Sequence, residues 1–287
     1  MFSEHRLPSV SSTLATTRLR LGLASAAALF ASGLVAAVPH VELLAPRVEE
    51  LTFTSAALQR EMRLVVVRPE TARDTAPVLY LLHGRGRHRR TLIDDEASRM
   101  ELLQAGYWII LPDGEDGWYS DTPAGNYASY LEEVMQTAEH HYGLAPPAGR
   151  RAISGWSMGG YGAVRFAQTH SDRFGSVAAV IGLLDFPRPA TLSEGQNYAV
   201  PEKPFGADPA GWPALNPLAG VESLRGKSLL VITATDAFDR TMNVHFSSAL
   251  TAADIPHDYR VLPGGHTLAV VHAALPLVLD FVRRSAR

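Results

Sequence analysis

The chain contains no cysteine, which excludes disulfides, thiolate metal sites and thiol nucleophiles and leaves the redox compartment unread from thiol usage. An excess of charge of either sign is also missing. Lys and Arg number 26 against 29 Asp and Glu, a formal balance of -3 over 287 residues, so no bulk field favours nucleic acid or an anionic membrane as a partner. No internal repeat is present, and no low-complexity tract occurs after the first forty residues, which sets aside solenoids and arrays. Only one long uncharged apolar run occurs, at 21–38. It follows Arg6, Arg18 and Arg20 and ends in Val35-Ala36-Ala37 before Val38, the layout of an export signal with small residues at its cleavage site. The run is also near the lower length limit for a bilayer-spanning helix. Residues 1–38 are therefore expected to be an export signal, giving a secreted or periplasmic protein, or alternatively a membrane anchor. Residues 39–287 suit one α/β domain large enough to bury a sizeable core.

Along that domain short apolar runs alternate with helical patterns. Residues 51–55 and 60–68 read as two antiparallel edge strands joined by a short turn. The continuous apolar run at 78–82 and those at 107–111, 175–184 and 227–235 suit strands buried on both faces. Residues 94–105, 126–142, 241–252 and 267–284 carry helical spacing, the second closed by Gly143. A last strand is read at 257–262. Alternation of this kind implies a mostly parallel sheet of about eight strands with helices on both faces. Residues 185–226 break the pattern: they are long, Pro- and Gly-rich and aperiodic, as expected of a lid-like insertion that shapes a site.

The stretch with most chemical content is Gly155-Trp156-Ser157-Met158-Gly159. It fits G-x-S-x-G and lies between a short strand and a helix, the setting in which a strained turn exposes a serine hydroxyl and points the helix N-terminus at the charge that develops in acyl transfer. Ser157 is the candidate nucleophile. A serine hydroxyl needs a base, and the base needs a carboxylate to hold it. Of the histidines after Ser157, only His266 sits in a glycine turn, Pro263-Gly264-Gly265-His266, directly after the final strand. Three acids follow strands: Asp236 at a strand's end, Asp239 three residues later where helix N-capping is its natural job, and Asp185 further upstream. Asp236 is the candidate. His83-Gly84-Arg85-Gly86 ends the strand at 78–82, so the backbone N–H groups of Arg85 and Met158 are the candidate oxyanion donors. His83 itself is expected to hold the loop. Trp118, Tyr119 and Trp156 are candidate substrate-binding residues, and Arg85, Arg87, His88, Arg89 and Arg90 form a basic cluster expected to be solvated loop or, alternatively, to attract a carboxylate or phosphate near an ester.

The segments 78–86, 155–163, 235–238 and 259–266 together resemble the esterase D family of α/β-hydrolases, which includes S-formylglutathione hydrolases, short-chain esterases, feruloyl esterases and mycolyltransferases. The resemblance covers the chain from about residue 51 onward and, independently of the strand-end reading, favours Asp236 over Asp239. It implies the α/β-hydrolase fold and serine carboxylesterase activity on small carboxylic esters, with no metal or organic cofactor. A small-molecule ester is the implied partner, and oligomeric state is unread. An acyltransferase handing the same acyl-enzyme to a sugar or lipid hydroxyl, a peptidase on this fold, and a non-catalytic binding protein are the alternatives.

Overall fold

The structure, a computed structural model, describes residues 39–71, 76–189 and 198–286; the export signal expected in 1–38 lies outside them. The chain begins with strands β1 (His40–Ala45), β2 (Val48–Ser55), β3 (Arg60–Val67) and β4 (Val78–Leu82), then short α1 (Thr91–Asp94), α2 (Glu96–Gln104) and β5 (Trp108–Pro112). A two-stranded ribbon, β6 (Asp121–Thr122) and β7 (Gly125–Asn126), leads into α3 (Tyr127–Tyr142). Next come β8 (Arg151–Trp156), α4 (Met158–Thr169) and β9 (Ser176–Val180). The described part of the insertion holds α5 (Glu202–Phe205) and two 3-10 segments, Pro209–Ala214 and Pro217–Leu224. The chain closes with β10 (Ser228–Ala234), α6 (Arg240–Ala252), β11 (Asp258–Leu262) and α7 (Leu268–Ser285).

One nine-stranded sheet runs β1-β2-β3-β5-β4-β8-β9-β10-β11. The three N-terminal strands pair antiparallel, and all pairs from β5 to β11 are parallel. The strand beyond the expected eight is β1, whose first four residues are exposed, Leu43 by 65%. A strand with no buried face leaves no alternation to read.

Side chains of a strand alternate between faces, and the core divides accordingly. Val78, Tyr80 and Leu82 enter one apolar layer with α3, α4 and α6, whereas Leu79 and Leu81 enter the other with α2 and α7. All five are at most 4% exposed, and burying a large apolar side chain contributes roughly 1.5–3 kcal/mol each. This two-sided burial keeps the sheet rigid where the loops leave it. In parallel strands those loops emerge at one rim, so the segments after β4, β8, β10 and β11 come together there. Among the described residues no helix is long and apolar enough to cross a membrane.

Candidate active site

Ser157 sits between β8 and α4 with φ 56° and ψ -119°, a backbone conformation that costs a non-glycine residue on the order of 1–3 kcal/mol. The neighbours over-determine it. Its N–H donates to Val180 O at 3.0 Å and its carbonyl accepts from Tyr161 N at 3.0 Å, which ties the turn to β9 and to the first turn of α4. The flanking glycines are required by backbone rather than by each other's side chains. A Cβ at Gly155 would lie 2.4 Å from Gly159 O, and one at Gly159 would lie 2.2 Å from Leu82 O at the end of β4.

The hydroxyl of Ser157 donates to His266 Nε2 at 2.8 Å, and His266 Nδ1 donates to Asp239 Oδ1 at 2.6 Å. Serine, imidazole and carboxylate thus form one chain of hydrogen bonds across 109 and 27 residues of sequence. The carboxylate that meets His266 is that of Asp239, which corrects the expectation of Asp236. Asp236 is exposed, its carboxylate accepting from its neighbour Thr235 Oγ1 at 3.0 Å. Its contribution is made by backbone: Asp236 N donates to Gly264 O at 2.8 Å, while Gly264 N donates to Thr235 Oγ1 at 3.1 Å, stitching the loop after β10 to the turn that carries His266. Asp239 occupies the N-cap of α6 yet makes no side-chain cap hydrogen bond. Its carboxylate turns to the histidine instead.

Asp239 is fully buried and its second oxygen is also held. Oδ2 accepts from Thr233 Oγ1 at 3.1 Å and from Asn243 Nδ2 at 2.8 Å. Asn243, likewise fully buried, places the same amide nitrogen 2.8 Å from Gly182 O and 2.9 Å from Asp239 O, so it anchors the acid to the segment leaving β9. Neither Thr233 nor Asn243 was singled out from sequence, although Asn243 stands four residues after Asp239, the spacing that places two side chains on one helix face. A hydrogen bond to a charged group contributes about 1.5–3 kcal/mol, so Asn243→Ala is expected to lower kcat ~10- to 100-fold with KM nearly unchanged. Steady-state kinetics on folded variant checks this; unchanged kcat would reduce Asn243 to scaffolding.

The loop after β4 lies against Ser157, since a Cβ at Gly84 would approach Ser157 Cβ to 3.2 Å. Among the described residues the N–H groups of Arg85 and Met158 meet no hydrogen-bond acceptor, leaving both free to donate. His83 is buried and holds the loop, as expected. Gly114 N donates to its Nε2 at 2.8 Å, and its Nδ1 lies 2.9 Å from Gly84 O. Beside it, burial alone would raise the Asp113 carboxyl, but His83 and the Arg89 guanidinium outweigh burial and lower it to about 2.

The three expected substrate-binding aromatics are placed differently from one another. Trp118 has φ 59°, is 1% exposed and packs against Tyr161, Phe186, Tyr198 and Phe205, with one edge toward a cavity. Tyr119 is a strut: its hydroxyl accepts from His83 N at 3.1 Å, and burial pushes that hydroxyl's pKa well up. Trp156 is 4% exposed in the core layer on the α7 side, its ring 2.9 Å from the Cβ that Gly84 lacks. The aromatics grouped at the His266 ring are two that sequence reasoning did not single out. Phe238 lies 4.3 Å from the His266 ring, and Tyr198 from the insertion stacks on Phe238 at 5.3 Å. Asp185, the third candidate acid, is engaged elsewhere, accepting from His245 Nδ1 at 2.8 Å and Asn216 Nδ2 at 2.9 Å and pairing with Arg188. Among the described residues no cluster of three His, Asp or Glu side chains could hold a metal ion.

The sequence profile of the family described as "Putative esterase" matches residues 55–277. The chain belongs to this esterase family. Esterase Rv1288 of Mycobacterium tuberculosis is 27% identical over 255 residues, covering 77% of this chain and 56% of that protein. The chain therefore spans about half the length of that curated relative. Among solved structures, a ferulic acid esterase aligns with TM-score 0.69 at 25% identity, covering 83% of this chain and 97% of its own. The serine hydrolase FphF of Staphylococcus aureus aligns at 0.72 and 20% identity over 82% of this chain and 97% of its own, a likeness that shows the shared α/β-hydrolase fold.

Proposed function

We propose that this esterase-family protein is a serine carboxylesterase acting on small carboxylic esters. The observation that carries the reading is the continuous hydrogen-bonded line from Ser157 Oγ through His266 to the buried Asp239 carboxylate. In acylation, Ser157 Oγ attacks the ester carbonyl as His266 Nε2 takes its proton. The oxyanion is held by the N–H groups of Arg85 and Met158, where each well-placed donor is worth ~10²–10³ in rate. His266 then protonates the leaving alcohol oxygen, and the acyl-enzyme remains. Water, deprotonated by His266, attacks that carbonyl and returns the serine. Asp239 fixes the imidazole with Nδ1–H outward from Ser157 and stabilises the imidazolium formed in each half.

The likeness to a ferulic acid esterase supports including aromatic acyl groups among the substrates tried. The composition of residues 1–38 supports export, to the periplasm or outside the cell. A fluorophosphonate probe is expected to label the wild type once per chain and to leave Ser157→Ala unlabelled. A panel of p-nitrophenyl esters from acetate to palmitate, with methyl ferulate added, then ranks the acyl group. Absence of both labelling and turnover would end the esterase reading.

A further inference from the structure

The basic cluster after the oxyanion loop divides into cations with a partner and cations without one. Arg89 is 14% exposed and engaged, Nε with Glu50 Oε2 at 2.7 Å and NH1 with Asp113 Oδ2 at 2.6 Å. It is a structural tie between β2 and the loop after β5. Arg90 pairs with Asp94 at 3.2 Å, and His88 Nδ1 accepts the Arg90 amide at 3.2 Å. Arg85 donates to the Tyr198 hydroxyl at 2.7 Å, with Asp116 3.8 Å from its Nε. Arg87 has no carboxylate partner among the described residues, and neither has Lys203 of α5.

Arg87 and Lys203 come from opposite elements and line the same cavity of about 450 Å³, together with Arg85 and the edge of Trp118. Two carboxylates also face it, and each has its own cation. Glu115 pairs with Arg60 and accepts from the Tyr127 hydroxyl, while Asp116 accepts from Gly86 N at 2.8 Å and neighbours Arg85. Once these pairs cancel, the cavity is left with the charges of Arg87 and Lys203. A cleft with a net excess of one sign of charge raises the local concentration of the opposite sign and speeds its capture.

The cavity connects to the proposed chemistry through Arg85, which lines it and whose backbone N–H is a candidate oxyanion donor. A Cβ at Gly84 would lie 3.2 Å from Ser157 Cβ, and Arg87 is three residues further along the same loop, at most about 11 Å of extended chain. Arg85 reaches Tyr198, which stacks on Phe238 beside His266. We propose that this cavity is an anion subsite, in which Arg87 and Lys203 receive a carboxylate carried by the ester substrate a few methylenes from the bond that is cut. The proposal rests on the esterase reading and narrows it to monoesters of dicarboxylic acids and esters of comparable charge.

The test compares p-nitrophenyl hemiesters from succinate to suberate with neutral p-nitrophenyl esters of equal acyl length. In the wild type, at least one hemiester is expected to exceed its neutral counterpart in kcat/KM by about tenfold at low salt, the advantage shrinking as salt screens the exposed charges. The exposed pair Arg87→Ala/Lys203→Ala should remove that advantage, chiefly through KM, and leave neutral-ester turnover within about twofold. Turnover of neutral esters with no hemiester preference, unaltered in the double variant, would overturn the anion subsite and spare the esterase reading. Should no ester be cleaved and Ser157 stay unlabelled, the esterase reading fails instead. Calorimetry with glutarate then decides the subsite: binding to wild type that is lost in the double variant supports it, and no binding overturns it.

Discussion

Asp239→Asn is expected to lower kcat by ~10³- to 10⁴-fold, whereas Asp236→Asn should leave it within about threefold. The asparagine is nearly isosteric, so the fold around α6 stays and the effect isolates the carboxylate. Its amide oxygen can accept from His266 Nδ1, as the carboxylate does at 2.6 Å, only by setting its N–H₂ against the Asn243 Nδ2 donor; keeping the oxygen on Asn243 and Thr233 turns the N–H₂ toward the ring. If it does turn, the imidazole is driven to the wrong tautomer, with Nε2 protonated and unable to take the serine's proton. The counter-charge to the imidazolium disappears at the same time. Asp236 offers no such lever, because its carboxylate is exposed and its amide makes the useful contact, with Gly264 O. Stopped-flow or steady-state kinetics on one p-nitrophenyl ester measures both variants. A large loss at Asp236 with little at Asp239 would reverse the assignment of the acid.

Gly159→Ala is expected to destabilise the fold by roughly 3 kcal/mol or more, a fall in melting temperature of about 10 °C for a domain of this size. The added Cβ would sit 2.2 Å from Leu82 O and 2.6 Å from His83 O. Both are backbone atoms at the end of a central strand, so neither can swing aside as a flexible side chain would. Relief requires α4 to move off β4, which would carry the Met158 N–H away from the site and lower activity as well. Gly211→Ala is the matched control. A Cβ there meets nothing within 4 Å, and the melting temperature should hold or rise slightly. Thermal melts followed by circular dichroism compare the two; equal melting temperatures would mean that the turn is more yielding than its close contacts imply.

The distance between what could be read along the chain and what required coordinates follows the range of the interactions. The run at 78–82 is apolar at every position, and that alone signals a strand covered on both faces; Gly143 after a helical pattern closes α3 with φ 64°. Ser157 and His266 were legible because each stands in a local motif with glycines beside it. Asp239 was passed over because two acids three residues apart compete after one strand, and nothing local decides which of them faces a turn 27 residues later. The decisive contacts, Thr233 and Asn243 on one oxygen and His266 on the other, form only after α6 docks on the sheet. The basic cluster was misread in part for the same reason. Arg89 looked like a solvated loop cation, but it meets Glu50 from 39 residues upstream, and no periodicity announces such a pair.

The insertion after β9 separates Ser157 from both of its partners in sequence. A chain cut within the 3-10 segment Pro209–Ala214 would leave the hydroxyl on one fragment and the imidazole and carboxylate on the other, with neither piece holding a complete proton-transfer line. The two halves would rejoin along the five paired residues of β9 and β10, and ester cleavage would appear only when they did, making the severed protein a reporter of its own complementation.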